Sequence, residues 1–158
     1  MINNLILLLI LILIYILFIV KVQNRKSALP KIRAKRKIII RGLNYSLEFS
    51  VNFNKNFNSH FIIDNLPLVG KINKWGNELY FSTNINIPSQ SQILTNDVNI
   101  GDIAYWPEDQ CICIFYGETP ASKNEKPMPI SPVMLLGKTS AEPNLLKKVG
   151  VGDNIEII

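Results

Sequence analysis

Two hydrophobic patterns divide this chain. From Leu5 to Val20 every side chain is apolar apart from the hydroxyl of Tyr15, so a helix here has no polar face to turn toward water. A hydrocarbon core of about 30 Å takes about 20 helical residues. The run therefore predicts a transmembrane anchor over residues 1–22, with Asn3 and Asn4 in the headgroup layer. A cleaved signal peptide fits less well, because it carries a basic segment before the apolar stretch and small residues at its end. Here only the α-amino group is positive ahead of the run, and Ser27-Ala28 lies inside a basic segment.

Further along, the pattern shortens to alternation. Leu47, Phe49 and Val51 alternate with Glu48, Ser50 and Asn52, the period of a strand with one buried face. Lys37–Arg41 and Tyr45–Val51 flank Gly42-Leu43-Asn44, which predicts a hairpin. Short apolar runs at Leu68–Asn73, Glu78–Ser82, Ile103–Trp106, Cys111–Phe115, Val133–Leu136 and Ile155–Ile158 predict further strands. Phe57, Phe61, Ile62 and Leu66 fall near helical spacing, so Asn54–Leu66 reads as a helix that Pro67 ends. Glu142–Val149 reads as a second, with Pro143 in its first turn and Gly150 beyond its end. Many short strands with two helices suggest a closed barrel, which leaves no exposed sheet edge.

Charge sharpens the division. The formal net charge is +5, yet residues 1–41 hold nine of the seventeen Lys and Arg and none of the twelve acids. Residues 42–158 thus carry 8 minus 12, or −4. The basic residues from Lys21 to Arg41 lack interleaved aromatics that stack on bases, which argues against nucleic acid. Their expected partners are anionic lipid headgroups, so residues 1–41 are expected to engage the bilayer. Cytoplasmic flanks are rich in Lys and Arg. The chain is accordingly expected to cross the cell membrane once, with its C-terminal domain in the cytoplasm. Residues 23–36 read as a basic juxtamembrane linker, in which Pro30 opposes a continuous helix. Residues 37–158 suit one domain. Cys111 and Cys113 are two apart, too local for an ordinary bridge, and two unpaired thiols suit a reducing compartment.

No catalytic set stands out. His60 is the only histidine and has no Cys or Glu at ligand spacing, so it reads as a surface or helix-cap residue and no metal site is expected. Cys111-Ile112-Cys113 lacks the two-residue gap of zinc or redox pairs. Gly150-Val151-Gly152 follows a helix and lacks the third glycine of a dinucleotide loop; no cofactor is expected. The aromatics are more suggestive. Tyr105-Trp106-Pro107 and Phe115-Tyr116-Gly117 stand at strand ends, where alternation sends neighbours to opposite faces. They form either barrel packing or an aromatic binding surface. The candidate ligand-binding residues are Glu78, Tyr105, Trp106, Phe115 and Tyr116.

Four blocks carry a family resemblance: Trp75-Gly76-Asn77-Glu78-Leu79-Tyr80-Phe81, Gly101-Asp102-Ile103-Ala104-Tyr105-Trp106-Pro107, Cys113-Ile114-Phe115-Tyr116-Gly117-Glu118-Thr119-Pro120, and Ser131-Pro132-Val133 followed by Gly137. In this order they resemble the small archaeal and bacterial cyclophilin-like proteins. The resemblance implies a mainly β fold, a closed eight-stranded barrel with two short helices, related to the peptidyl-prolyl isomerases. Isomerases of that fold depend on an arginine that stabilises the twisted prolyl amide. This chain has no arginine after Arg41 and no Phe-His-Arg segment, and lysine lacks the planar fork. With the anchor read from the apolar run, the resemblance leads to the expectation of a membrane-tethered module that binds a peptide, protein or small ligand without isomerase activity; the alternative is a prolyl isomerase or small-molecule enzyme on the same barrel.

Overall fold

The computed structural model describes Ile12, Tyr15, residues 36–88 and residues 93–158. The predicted anchor and linker lie outside the described residues apart from Ile12, Tyr15 and Arg36. Among the described residues no helix is long and apolar enough to cross a membrane. Residues from Lys35 to Ile158 form one compact unit.

That unit is a nearly closed β-barrel of nine strands with two helices. In chain order they are β1 (Arg36–Arg41), β2 (Ser46–Phe53), α1 (Phe57–Asp64), β3 (Leu68–Lys71), β4 (Asn73–Trp75), β5 (Glu78–Ser82), β6 (Asp102–Trp106), β7 (Cys111–Phe115), β8 (Met134–Thr139), α2 (Pro143–Leu146) and β9 (Asn154–Ile157). The sheet runs β3-β9-β1-β2-β8-β6-β7-β5-β4, and every pairing within it is antiparallel.

The expected eight closed strands become nine because one of them divides. The predicted strand Leu68–Asn73 breaks at Ile72, where β3 pairs with β9 and β4 pairs with β5. At the break, Ile72 N–H donates to the Asp153 carbonyl at 2.9 Å and its own carbonyl accepts from Gly152 N–H at 2.8 Å. The two ends of the sheet order are therefore consecutive in sequence, and this bent segment brings the barrel almost to closure.

The predicted helices exist but are shorter. Asn56 caps α1, its side-chain oxygen accepting from Ser59 N–H at 2.9 Å. That cap sets the start at Phe57 instead of Asn54. The backbone N–H of Asn65 turns back to Ile62, three residues behind, closing α1 ahead of Pro67. The segment predicted as Glu142–Val149 is helical only over Pro143–Leu146. Beyond it, Lys148 and Val149 N–H reach three residues back instead of four. The carbonyls of Lys147 and Val149 accept from the Lys74 ammonium at 3.3 and 2.9 Å.

The barrel interior is filled. Ile38, Ile40, Ile62, Leu79, Phe81, Ile103, Tyr105, Ile112, Ile114 and Leu136 belong to its one large cluster of buried side chains. Gly137 is required where β2 crosses β8: a Cβ there would stand 2.3 Å from the Asn52 carbonyl oxygen and 2.8 Å from the Phe53 Cα. Next to it, β8 bulges against β6, since Ile103 faces Gly137 whereas Ala104 faces Leu135. The displaced Leu136 carbonyl accepts from Asn54 N–H at 2.8 Å and Ser59 Oγ at 2.7 Å, which ties α1 to the barrel wall.

Candidate functional site

Alternation along β5, β6 and β7 gives these strands two faces. Leu79, Phe81, Ile103, Tyr105, Ile112 and Ile114 point into the large core. Ala104, Cys111, Cys113 and Phe115 point the other way and form a second buried cluster with Val98 and Val133, against which Tyr80, Trp106 and Leu135 pack half-buried. The outer cluster exists because chain from two connecting segments covers it. Thr95 and Val133 pair as an isolated bridge, each N–H meeting the other's carbonyl at 2.9 Å. Trp106 Nε1 donates to Ser131 Oγ at 2.7 Å.

The turn before β5 aims Glu78. Gly76 has φ +59°, and a Cβ on it would lie 2.8 Å from Pro120 Cδ and 2.9 Å from Thr119 Cα, so only glycine fits both the conformation and the space. Asn77 N–H donates to the Glu118 carbonyl at 2.8 Å, and Tyr116 N–H donates to the Asn77 carbonyl at 2.9 Å. Glu78 then stands opposite Phe115, and Tyr80 opposite Cys113. The four sequence blocks that carry the resemblance meet here.

Glu78 is the unusual group. It is 6% exposed, and among the described residues no Lys, Arg or His forms an ion pair with it. Burial pushes its carboxyl up to about 7; a hydrogen bond with the Cys113 thiol opposes that shift in part. Cys113 is raised well above the ordinary thiol value, first by burial and then by the Glu78 charge. Burial also raises Cys111, and it raises Tyr80 together with the charges of Cys111 and Glu78. Both cysteines are free thiols. The face therefore carries a carboxyl near its titration midpoint at neutral pH, bonded to the Cys113 thiol, with Tyr80 two residues along β5 and Trp106 at the far end of the face. Such a carboxyl accepts a hydrogen bond or a positive charge from a group that brings its own compensation for lost water.

Of the five residues singled out in the sequence, the structure brings Glu78, Trp106 and Phe115 to this outer face. Tyr105 and Tyr116 lie in the interior cluster instead. The Tyr105 hydroxyl donates to the Ile85 carbonyl at 2.5 Å and the Tyr116 hydroxyl to the Gly76 carbonyl at 3.4 Å. Phe115 is fully buried, so it forms the floor of the face. Tyr80, in the same block as Glu78, was not singled out from the sequence; its i+2 spacing from Glu78 was the available signal. His60 is exposed on α1. Gly150-Val151-Gly152 forms a turn in which Gly150 N–H donates to Asp153 Oδ2 at 2.7 Å. Among the described residues no group of three or more His, Cys, Asp or Glu is placed to hold a metal ion.

Comparison with known proteins agrees with this architecture. The family model described as cyclophilin-like matches residues 34–158. The chain belongs to the cyclophilin-like family. Its fold is similar to the solution structure of a hypothetical protein from Archaeoglobus fulgidus, with 28% sequence identity and a TM-score of 0.58, covering 78% of this chain and 93% of that one. Among curated proteins none matches the chain.

Proposed function

We propose that this protein is a membrane-tethered binding module whose cyclophilin-like barrel takes a peptide or protein segment, without isomerising it, at the half-buried margin that the covering segments leave on the outer face of β5, β6 and β7. The observation that carries this reading is the buried Glu78 carboxyl, which has no cationic partner among the described residues and shares its face with the half-buried Tyr80, two residues along β5, and with Trp106 at the far end of the face, opposite Cys111. A segment that offers a cation or an N–H to Glu78 and an apolar ring to the aromatics satisfies both. The apolar run Leu5–Val20 supports the tether, and the basic flank behind it supports a cytoplasmic barrel.

Binding is favoured over isomerisation by the distribution of arginine. Arg41 ends β1 and pairs with Glu156 at 3.2 Å, and β2 and β8 separate β1 from β6 in the sheet. No arginine follows it in sequence.

The test is titration of the full chain in detergent with short proline-containing peptides, one series bearing Lys or Arg and one without. Trp fluorescence and amide chemical shifts are followed. Saturable shifts at residues 78–80 and 104–106, weakened tenfold or more by Glu78→Gln for the basic series, are expected. Absence of shifts with every peptide, unchanged by Trp106→Ala, would remove peptide binding from consideration.

A further inference from the structure

A second surface lies at one end of the barrel. The turn between β1 and β2 exposes Leu43 at 96%, and the turn before β9 exposes Val151 at 68%. These two tips are neighbours. Gly150 N–H donates to the Tyr45 hydroxyl at 3.3 Å, and that hydroxyl bonds Asp153. Arg41 and Lys71 both stand opposite Asn154, so the end of β1, the end of β3 and the start of β9 are level. Lys74 binds the carbonyls of Lys147 and Val149, which holds the segment after α2 against the same end.

Charge is concentrated there too. Lys71, Lys147 and Lys148 are exposed, and among the described residues none of the three forms an ion pair. Two acids beside the tips are engaged, Asp153 by Tyr45 and Gly150 and Glu156 by Arg41, while Glu142 at the start of α2 is exposed and forms no ion pair among the described residues. With Lys74, this end holds four of the eight lysines in residues 42–158, a region whose net charge is −4. Apolar tips with lysines at the same end of the barrel match the boundary between anionic headgroups and acyl chains, where each basic residue near the surface strengthens attachment.

We propose that this end of the barrel rests on an anionic lipid surface. Leu43 and Val151 enter the headgroup layer, and Lys71, Lys147 and Lys148 lie against lipid phosphates. This rests on the membrane-tethered reading for its setting, because an anchored barrel stays within reach of the leaflet. Residues 23–35 extend to about 45 Å at most, against about 20 Å for a six-residue strand such as β1. Chain length therefore lets either end of the barrel reach lipid.

The test uses the full chain with a fluorophore at Val151→Cys, and a control at Asn124→Cys, in vesicles of brominated phosphatidylcholine with or without about a third phosphatidylglycerol. Strong quenching at position 151, dependent on phosphatidylglycerol and absent at 124, is expected. Charge reversal of Lys71, Lys147 and Lys148 to Glu is expected to lower the docked-to-free ratio by about a hundredfold or more. Equal quenching at both positions, or quenching indifferent to charge reversal, would overturn the docking. So would crosslinking of position 151 to a protein in native membranes in place of lipid quenching. The tether is read separately, by flotation with neutral vesicles after an alkaline wash. A chain that fails to float while position 151 is still quenched by added anionic vesicles loses its anchor and keeps its docking surface.

Discussion

The two faces of β5, β6 and β7 are built from the same fifteen residues and obey different rules. Inward, Leu79, Phe81, Ile103, Ile112 and Ile114 are purely apolar, and the one polar atom on that side, the Tyr105 hydroxyl, is spent on the Ile85 carbonyl. Outward, the cluster is small and includes two thiols, one of which bonds the Glu78 carboxyl on the same face. Stability is concentrated on the inner face. The outer face therefore carries a group that a core could not hold, since a carboxyl inside the barrel would face no water and no donor. An unfavourable buried acid is tolerable only where the fold does not depend on its surroundings.

The largest effect should separate the faces directly. Ile114→Ala opens a cavity in the packed interior and is expected to cost about 3–4 kcal/mol. Cys113→Ala, one residue away on the outer face, removes a single sulfur and is expected to cost about 1 kcal/mol or less. Urea midpoints of the two variants measure the difference. Equal losses would show that the outer cluster is as much a core as the inner one.

Next comes the pH dependence of Glu78. Its carboxyl sits at about 7 in the folded chain against an ordinary value of 4.5. Between these values the folded state holds a proton that the unfolded state has released, so stability falls as pH rises through that window and levels off above it. The whole fall is at most about 3 kcal/mol. Glu78→Gln should therefore stabilise the protein by about 1–3 kcal/mol at pH 8, with little change at pH 4, and should flatten the profile between. Urea unfolding at several pH values checks this, and a profile that keeps its slope in the Gln variant would assign the effect elsewhere.

Much of the inner face was legible in the sequence because burial on one side of a strand leaves a period of two. Leu47, Phe49 and Val51 show it, and so do the positions of β5, β6 and β7. What the pattern does not contain is register. Tyr105 and Trp106 are adjacent, as are Phe115 and Tyr116, and alternation requires one of each pair to turn inward. Which one does so depends on partners across the sheet: Tyr105 faces Ile112, and Trp106 faces Cys111. The division of the third predicted strand at Ile72 was hidden for the same reason, since its cause is a pair of hydrogen bonds to Gly152 and Asp153, about eighty residues away. Val133 was read only as the start of a strand, and the segment around Thr95 carries no strand or helix pattern, so the outer cluster they cover was visible only as a set of unexplained aromatics. The apolar run Leu5–Val20 remains a sequence argument, because it lies outside the described residues apart from Ile12 and Tyr15.

The smallest expected effect bears on chemistry more than on stability. Arg41 is the last arginine of the chain, and its guanidinium reaches Glu156 across β1 and β9. The pair is solvent-exposed, with side-chain exposures of 53% and 29%, and such pairs contribute little after screening and side-chain entropy. Arg41→Ala should therefore shift stability by no more than about 0.5 kcal/mol. It should also leave proline isomerisation, followed by a protease-coupled assay, at the same background rate as the unmodified chain. Arg41 stands level with Ser46 and Asn154, on the side of the sheet away from β5 and β6. A measurable isomerase rate that disappears with this one substitution would mean that catalysis uses the β1 end of the barrel, and it would move the functional site from the Glu78 face to the face that carries Arg41.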